Sequence, residues 1–595
     1  MEVETITAAE ASTGSRTMAD LALLAREKHG DRPALRHKVG EEWADVSYPE
    51  LADKVRHVAG GLIDLGIEPG DKISVLSNTR PEWTYACFGI LAAGGTCVSI
   101  YQTNSPQECH YVLQHSESRA VFVEDGEQLA KVREVEGDLP ALELIVVMEP
   151  DGDIGDAISL EELCKRGARR ADSDVDERVA SVSLDDYCLY IYTSGTTGPP
   201  KGCMLTHGNY RQVTNMVEAQ NVMRRDEVVY LFLPLAHAFA LLIQFVTLDL
   251  GHTIAYWERD PQQILPNLME VKPTYFPSVP RIFEKIYTLA NSVGDPAEIK
   301  EAVAVGFKVR QLHEAGEDAP PDLQAAFEEA DKALFQHVQN LFGGRMRQCV
   351  SGAAPIAKEI LEFFYACGVP VMEGYGMTET STVASANRLE AFRFGSVGKP
   401  LPGVEAKIAD DGELLLRGTN IFQGYFKNDS ATRETLADGW LHTGDLGRID
   451  EDGFIYITGR KKDIIITAGG KNITPANLEN GLKQTRWISQ AVVVGDRRPY
   501  LVALLTLDPE EAPVFAEQHG LKVEDLPESA EMRAEVQKAI DAVNSHVGRV
   551  EQIKKFTILP HDLSQETGEL TPTLKVKRNV VNEKYAAHVE ALYSR

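Results

Sequence analysis

Hydrophobic positions along this chain follow two spacings in turn. Leu51, Val55, Val58, Leu62 and Leu65 recur near helical spacing, which predicts an amphipathic helix over 47–66. A short apolar run at 72–77 reads as a buried strand, 81–93 as a helix and 96–101 as a strand. Further strands are expected at 120–123, 144–147, 228–233, 253–256, 275–277, 348–351 and 369–373. Strand runs alternating with helical runs predict an α/β fold of doubly wound, parallel sheets.

Two stretches break this rhythm. Residues 291–341 are charged and helical, with Leu323, Phe327, Ala330, Leu334, Val338 and Leu341 on one stripe and Ala319-Pro320-Pro321 separating an earlier helix. They predict a helical hairpin inserted on the domain surface, with a structural or self-association role. Over 395–459 short alternating strands with turns such as Asp410-Asp411-Gly412 predict a small β-rich subdomain. The charged Gly459-Arg460-Lys461-Lys462-Asp463 then separates two apolar runs. The expected organisation is a large N-terminal domain over 1–459 and a smaller, mobile α+β C-terminal domain over 460–595.

Residues 83–107 and 228–248 are uncharged and about as long as the ~20-residue membrane criterion. Gly89, Gly94, Gly95 and a β-branched run interrupt the first; Pro234 and His237 interrupt the second. Both read as buried core.

At 595 residues the chain exceeds one core, and 43% apolar with 25% charged residues describes an ordinary globular protein. A net charge of −29 argues against nucleic acid as a partner and leaves anionic substrates to local lysines and arginines. The eight cysteines form no Cys-x-x-Cys pair and no zinc spacing, as expected of reduced thiols. Met1-Glu2-Val3-Glu4-Thr5 lacks the basic and apolar regions of a secretory signal, so a cytoplasmic location is expected.

Candidate chemistry begins after the apolar run 187–192, at Thr193-Ser194-Gly195-Thr196-Thr197-Gly198-Pro199-Pro200-Lys201-Gly202. Glycines let backbone N–H groups approach an anion, hydroxyls add donors, and the lysine adds positive charge. The common nucleotide P-loop is excluded, because Lys201 follows a proline and precedes a glycine. Downstream, in order, stand Glu373-Gly374-Tyr375-Gly376-Met377-Thr378-Glu379-Thr380, Trp440-Leu441-His442-Thr443-Gly444-Asp445-Leu446, the 459–463 segment, and Gly568-Glu569-Leu570-Thr571-Pro572-Thr573-Leu574-Lys575-Val576-Lys577-Arg578.

Together these segments resemble the adenylate-forming superfamily of acyl-CoA synthetases, luciferases and peptide-synthetase adenylation domains, over almost the whole chain. Within it the likeness is closest to bacterial long-chain fatty-acid–CoA ligases. That narrower likeness rests on Val98-Ser99-Ile100-Tyr101-Gln102-Thr103-Asn104-Ser105-Pro106, Lys272-Pro273-Thr274, Val279-Pro280-Arg281-Ile282-Phe283-Glu284-Lys285, Thr467-Ala468-Gly469-Gly470-Lys471-Asn472-Ile473 and 568–578.

The resemblance implies ATP-dependent activation of a fatty acid to acyl-AMP, then transfer to coenzyme A. Thr193, Ser194, Gly195, Thr196, Thr197, Gly198 and Lys201 would hold the β- and γ-phosphates. Glu379 with Thr193 would bind Mg²⁺, a hard ion that shares oxygen ligands with substrate phosphates. Thr378 would touch the α-phosphate, Asp445 the ribose, and Arg460 the ribose–phosphate side. Gly352, Ala353, Ala354 and Glu373-Gly374-Tyr375-Gly376 would wall the adenine. Lys575 would bridge carboxylate and α-phosphate as charge develops. Lys462 falls at the superfamily's hinge position; rotation there would withdraw Lys575 and bring 467–473, with Gly469 and Gly470, to the pantetheine channel. His237 would shape the acyl and pantetheine pocket, and its role as a general base is not established by the sequence. Residues 239–248 would line an acyl tunnel, at ~0.8 kcal/mol per buried methylene.

Two departures from the superfamily stand out: Thr573-Leu574-Lys575 where Ser/Thr-Gly-Lys is commoner, and Ile466 where many relatives carry lysine. A fatty acyl-AMP ligase that serves a carrier protein shares the fold and is the alternative. An aryl- or amino-acid-activating domain fits 469–472 and 571–578 less well. Intact Lys201, Glu379, Asp445 and Lys575 oppose a nucleotide-binding module without turnover. Peripheral contact with the inner face of a membrane and a homodimer are compatible with this reading.

Overall fold

The amphipathic run becomes the helix Tyr48–Asp64, opened by a capping box. The Glu50 carboxylate accepts from Ser47 N at 2.8 Å, and Ser47 Oγ from Glu50 N at 3.4 Å. Its apolar face meets the helix Pro81–Ala92, buried at every position but Glu82. Glycine is required at that crossing: a Cβ on Gly89 would stand 2.3 Å from Val58 Cγ1. The chain is seen in a computed structural model that describes residues 4–594 apart from 194–198, 225, 292–293, 470 and 572–574.

Two large sheets organise the N-terminal domain. One has eight strands, in the order Gly424–Tyr425, Lys201–Thr206, Tyr187–Thr193, Thr96–Ile100, Lys72–Leu76, Ala120–Val123, Leu144–Val147, Ile158–Ser159. It is parallel from Tyr187–Thr193 to the Ile158 edge and antiparallel beyond Tyr187–Thr193. The other has nine strands, with Val371–Tyr375, Gln348–Ser351, Tyr275–Ser278, Val228–Leu231, Thr253–Tyr256 and Pro33–Val39 forming its parallel centre. Glu42–Ser47 pairs antiparallel at one edge. Both sheets are thus mixed at their edges, where antiparallel strands need no crossover helix.

The uncharged stretch 228–248 resolves into the strand Val228–Leu231 and the helix Ala238–Asp249, buried at every position but Phe239. No described helix is long and apolar enough to cross a membrane. All eight cysteines are free thiols.

The insertion comprises helices Pro296–Glu314 and Pro321–Ala330, a π turn at Asp331–Phe335, and Gln336–Leu341. Ala330, Leu334 and Val338 of the expected stripe are buried. The π turn adds a residue to the helical register and also carries Phe335 inside, at 0% exposure.

Strands Glu405–Ile408, Glu413–Arg417, Trp440–Ile449, Leu436–Ala437 and Ile455–Arg460 form a five-stranded antiparallel sheet. Beyond it, the smaller C-terminal domain has a sheet of Ile488–Val494, Leu501–Leu507 and Ile553–Ile558 with its own core around Leu482, Leu505, Phe515 and Val536. The helix Pro280–Asn291 meets it through charges, with Arg281 on Asp508 and Lys285 Nζ 2.8 Å from Glu510.

Candidate active site

The parallel strands of both sheets end around one cavity of about 1170 Å³, the position at which open α/β sheets bind ligands. Ser99, Ile191 and Thr193 come from one sheet, Ser351, Glu373 and Tyr375 from the other, and Lys575 from the C-terminal domain.

One polar group is built around Asp445. The small sheet places Asp445 opposite Arg460, whose Nε donates to Asp445 Oδ1 at 2.9 Å. Tyr375 Oη donates to Asp445 Oδ2 at 2.6 Å, and Asp445 N donates to Thr443 Oγ1 at 3.1 Å. Burial, then the neighbouring carboxylate, holds the Tyr375 phenol well above its ordinary value, so it stays a donor. Asp445 itself is buried and absent from the described cavity lining, to which its neighbours Tyr375, Thr443, Gly444 and Arg460 belong.

A second group surrounds Glu379. Tyr425 Oη donates to Glu379 Oε1 at 2.6 Å, and Lys201 Nζ lies 4.8 Å from the centroid of the Tyr425 ring. Tyr425 reaches this place because its strand pairs with Lys201–Thr206, in register with Cys203. Thr193 sits opposite Lys201 across the same hairpin, its Oγ1 donating to Lys201 O at 3.4 Å. Ser194, Gly195, Thr196, Thr197 and Gly198 lie outside the described residues. No group of three or more His, Cys, Asp or Glu side chains suited to a metal is found among the described residues. Glu379 and Thr193 both line the cavity and offer oxygen atoms, the donor type that Mg²⁺ prefers.

The turn between these groups is compressed. Ser381 and Thr382 adopt φ of 50° and 105°, and a Cβ on Gly376 would stand 1.9 Å from Thr382 O. Glycine is obligatory at 376, whereas Gly352 and Gly374 have ordinary space for a Cβ, at 3.5 and 3.6 Å from their nearest neighbours. Any close-approach argument there depends on the ligand alone. Thr378 lines the cavity, as do Gly352 and Ala353, the latter with φ 68°; Ala354 is absent from the described lining. Burial pushes the Glu373 carboxyl up to about 8, and its Oε2 is buried without a hydrogen-bond partner.

Lys575 enters from the C-terminal domain. Thr571 N donates to Lys575 O at 2.8 Å and Lys575 N to Thr571 Oγ1 at 3.1 Å, closing a tight loop whose residues 572–574, with the Thr573-Leu574 departure, lie outside the described residues. The ammonium keeps accessible surface in the cavity yet is ringed by protein. Burial and then Arg460 lower its pKa, while Asp445 and Glu379 oppose them.

His237 caps the helix Ala238–Asp249, its Nδ1 accepting from Phe239 N at 3.2 Å. Burial and the nearby Lys575 hold it down to about 4, so it is a neutral wall of the cavity at neutral pH. Lys462 lines the cavity within the turn Lys461–Asp463, while Lys461 is held by Glu413 at 3.1 Å. Gly469 does not belong to the described lining, and Gly470 lies outside the described residues. Ile466 is 50% exposed.

Beyond the polar groups the cavity continues between the helix Ala238–Asp249 and the nine-stranded sheet, along Leu242, Ile243, Val246, Val350 and Met372. Tyr425 is an addition that sequence reading missed, and Thr571, quoted there only as part of the 568–578 segment, gains its contact with the Lys575 backbone. Tyr425 had only a Gly-Tyr-Phe run to mark it, and its role depends on a strand pairing with a distant segment.

The chain is similar to known proteins along most of its length. Residues 24–426 match the AMP-binding enzyme family, and 462–595 match the AMP-binding enzyme C-terminal domain. The long-chain-fatty-acid–CoA ligase FadD15 of Mycobacterium tuberculosis is 40% identical over 562 residues, covering 93% of this chain and 93% of that protein. The long-chain-fatty-acid–CoA ligase ACSBG2 of Xenopus laevis is 35% identical over 609 residues, covering 95% of this chain and 82% of that protein. Among solved structures, the A domain of carboxylic acid reductase from Segniliparus rugosus, in complex with AMP and a co-purified carboxylic acid, is similar with a TM-score of 0.76 at 21% identity, over 97% of this chain and 94% of that one. At that identity the likeness concerns the fold. With both domain matches and a relative 40% identical along nearly its full length, the chain belongs to the AMP-binding enzyme family.

Proposed function

We propose that this enzyme is a long-chain fatty-acid–CoA ligase, activating the acid with ATP and passing the acyl group to coenzyme A. One observation carries the reading: a single cavity joins Lys575, Glu379 and Lys201 to an apolar channel lined by Leu242, Ile243 and Val246. A carboxylate held at that junction attacks the α-phosphorus of ATP, forming acyl-AMP and expelling pyrophosphate. The coenzyme A thiol then attacks the acyl carbonyl, its proton passing to solvent, and AMP leaves.

Lys575 neutralises charge between carboxylate and α-phosphate, and Lys201 does so at the departing pyrophosphate. Asp445 and Arg460 hold the ribose side, and Glu379 with Thr193 binds Mg²⁺, which supplies further charge neutralisation on the phosphates. Rotation of residues 460–595 about Lys462 exchanges Lys575 for the 467–473 loop between half-reactions. A lipid-soluble acid is consistent with transient contact between this enzyme and a membrane surface.

The test is pyrophosphate release from ATP with octanoate, palmitate or lignocerate, first without and then with coenzyme A. Rapid release with palmitate and acyl-CoA formation on adding coenzyme A are expected. An acyl-AMP product indifferent to coenzyme A would instead identify a ligase that serves a carrier protein.

A further inference from the structure

One end of the apolar channel is bordered by residues that the reaction itself does not use. The strand Gln348–Ser351 runs along the channel, with Ser351 at the nucleotide end and Gln348 beneath it. At about 3.3 Å per residue, Gln348 stands roughly 10 Å deeper than Ser351. There the wall changes character. Gln348 is 1% exposed and its Nε2 has no hydrogen-bond partner, while its Oε1 accepts from Arg347 at 3.3 Å. Tyr275, its neighbour in register on the next strand, lines the same end.

The remaining side of this end is a loop. Val222 and Met223, between the helix His207–Glu218 and the strand Val228–Leu231, line the channel. Arg347 ties that loop down. Its Nη2 donates to Val222 O at 2.6 Å and its Nε to Glu227 Oε1 at 2.6 Å, and the same carboxylate oxygen accepts from Arg224 N at 3.0 Å. Glu227 is only 3% exposed, so the pair is shielded from solvent. Arg347 is absent from the channel lining and acts through the loop it holds.

We propose that Arg347 is the positioning residue that closes the acyl channel and thereby sets the longest chain this enzyme accepts. The proposal rests on the fatty-acid reading above. With the guanidinium in place, Val222 and Met223 form a fixed end wall against Gln348 and Tyr275. Without it, Glu227 loses its counter-charge, the loop loses its anchor at Val222 O, and the end wall yields to longer chains.

The experiment compares kcat/KM for octanoate, palmitate and lignocerate, reading acyl-CoA by mass spectrometry, in the wild type and in Arg347→Ala, Arg347→Lys and Met223→Trp. Arg347→Ala should raise the lignocerate-to-octanoate ratio by about tenfold, the scale on which apolar pockets discriminate neighbouring chain lengths. Arg347→Lys, which keeps the charge but not the forked reach to Val222 O, should give a smaller rise. Met223→Trp, which fills the end without breaking the ion pair, should lower the palmitate-to-octanoate ratio. Equal losses for all three acids in Arg347→Ala would mark a merely structural role and overturn the proposal. Should that variant not fold, an unchanged ratio in Met223→Trp overturns it instead. A wild type active on none of the acids would sink the fatty-acid reading first, whereas an active wild type with invariant ratios sinks the end wall alone.

Discussion

At the scale of single residues, Asp445 and Glu379 each have a neighbour that fixes their position, Arg460 with Tyr375 for the first and Tyr425 for the second. Lys575 is held by its loop backbone at Thr571 and left with its ammonium in the cavity. Lys575→Ala should therefore lower adenylate formation by at least about a hundredfold, the usual effect of removing a preorganised donor to a developing charge. Thioester formation from supplied acyl-AMP should persist, and equal loss of both half-reactions would refute the role. Tyr425 tests the other side. Its hydroxyl holds Glu379 and its ring carries Lys201, so Tyr425→Phe keeps the cation–ring contact and loses only the hydrogen bond. A bond to a charged group contributes about 1.5–3 kcal/mol, which predicts roughly a tenfold or greater rise in the Mg²⁺ concentration needed for half-maximal pyrophosphate release. An unchanged Mg²⁺ dependence would detach Tyr425 from the ion.

Among elements, the N-terminal segment is held against the helices His207–Glu218 and Ala238–Asp249 by a buried charge cluster. Arg211 Nη2 lies 2.7 Å from Asp249 Oδ2 and 3.2 Å from Glu218 Oε1, while Ser12 Oγ donates to Asp249 at 2.7 Å and Ala9 N to Glu218 at 3.2 Å. Burial and then the adjacent Asp249 push the Glu218 carboxyl up to about 9, against the opposing Arg211. The native state thus keeps a proton that the unfolded chain releases near the ordinary glutamate value of 4.5. Stability contributed by that proton is present at low pH and lost as pH rises through that window, by no more than about 1.4 kcal/mol per pH unit for a single proton. Urea unfolding of the wild type between neutral pH and pH 9 should show the fall, and Glu218→Gln should flatten it. Equal slopes for both proteins would assign the effect elsewhere.

The same scale shows where sequence reading succeeds and where it stops. The helix Tyr48–Asp64 was legible because its stripe and its Ser47–Glu50 cap are local. The strands Pro33–Val39 and Glu42–Ser47 escaped, since most of their positions are only half-buried and carry no apolar run. The π turn at Asp331–Phe335 was invisible for another reason: a one-residue change of helical register follows from what the helix packs against.

For the whole molecule, the decisive arrangement is the placing of a C-terminal lysine within a cavity built by the N-terminal domain. Charged contacts at Arg281–Asp508 and Lys285–Glu510 hold the two together near the helix Pro280–Asn291, a type of contact that separates more readily than an apolar one. If residues 460–595 turn about Lys462 between half-reactions, Lys462→Pro should spare pyrophosphate release in the first step. It should slow acyl-CoA formation from supplied acyl-AMP by at least about a hundredfold, as misplaced reacting groups do. Undiminished thioester formation would remove Lys462 from the hinge.

Read as a string, the chain already announced its α/β class and its buried rather than membrane-spanning apolar stretches, and its segments around Lys201, Glu379, Asp445 and Lys575 carried the family resemblance. Those properties lie in short-range spacing and in side-chain type, which survive without any fold. The string was silent on the hydrogen bonds that join Tyr375 and Arg460 to Asp445, on Tyr425 beneath Lys201, on the neutral His237 and on the Arg347 clamp. Each of these depends on strand register, desolvation or contact between residues far apart in sequence, and none of the three exists until the sheets have paired and water has left the core.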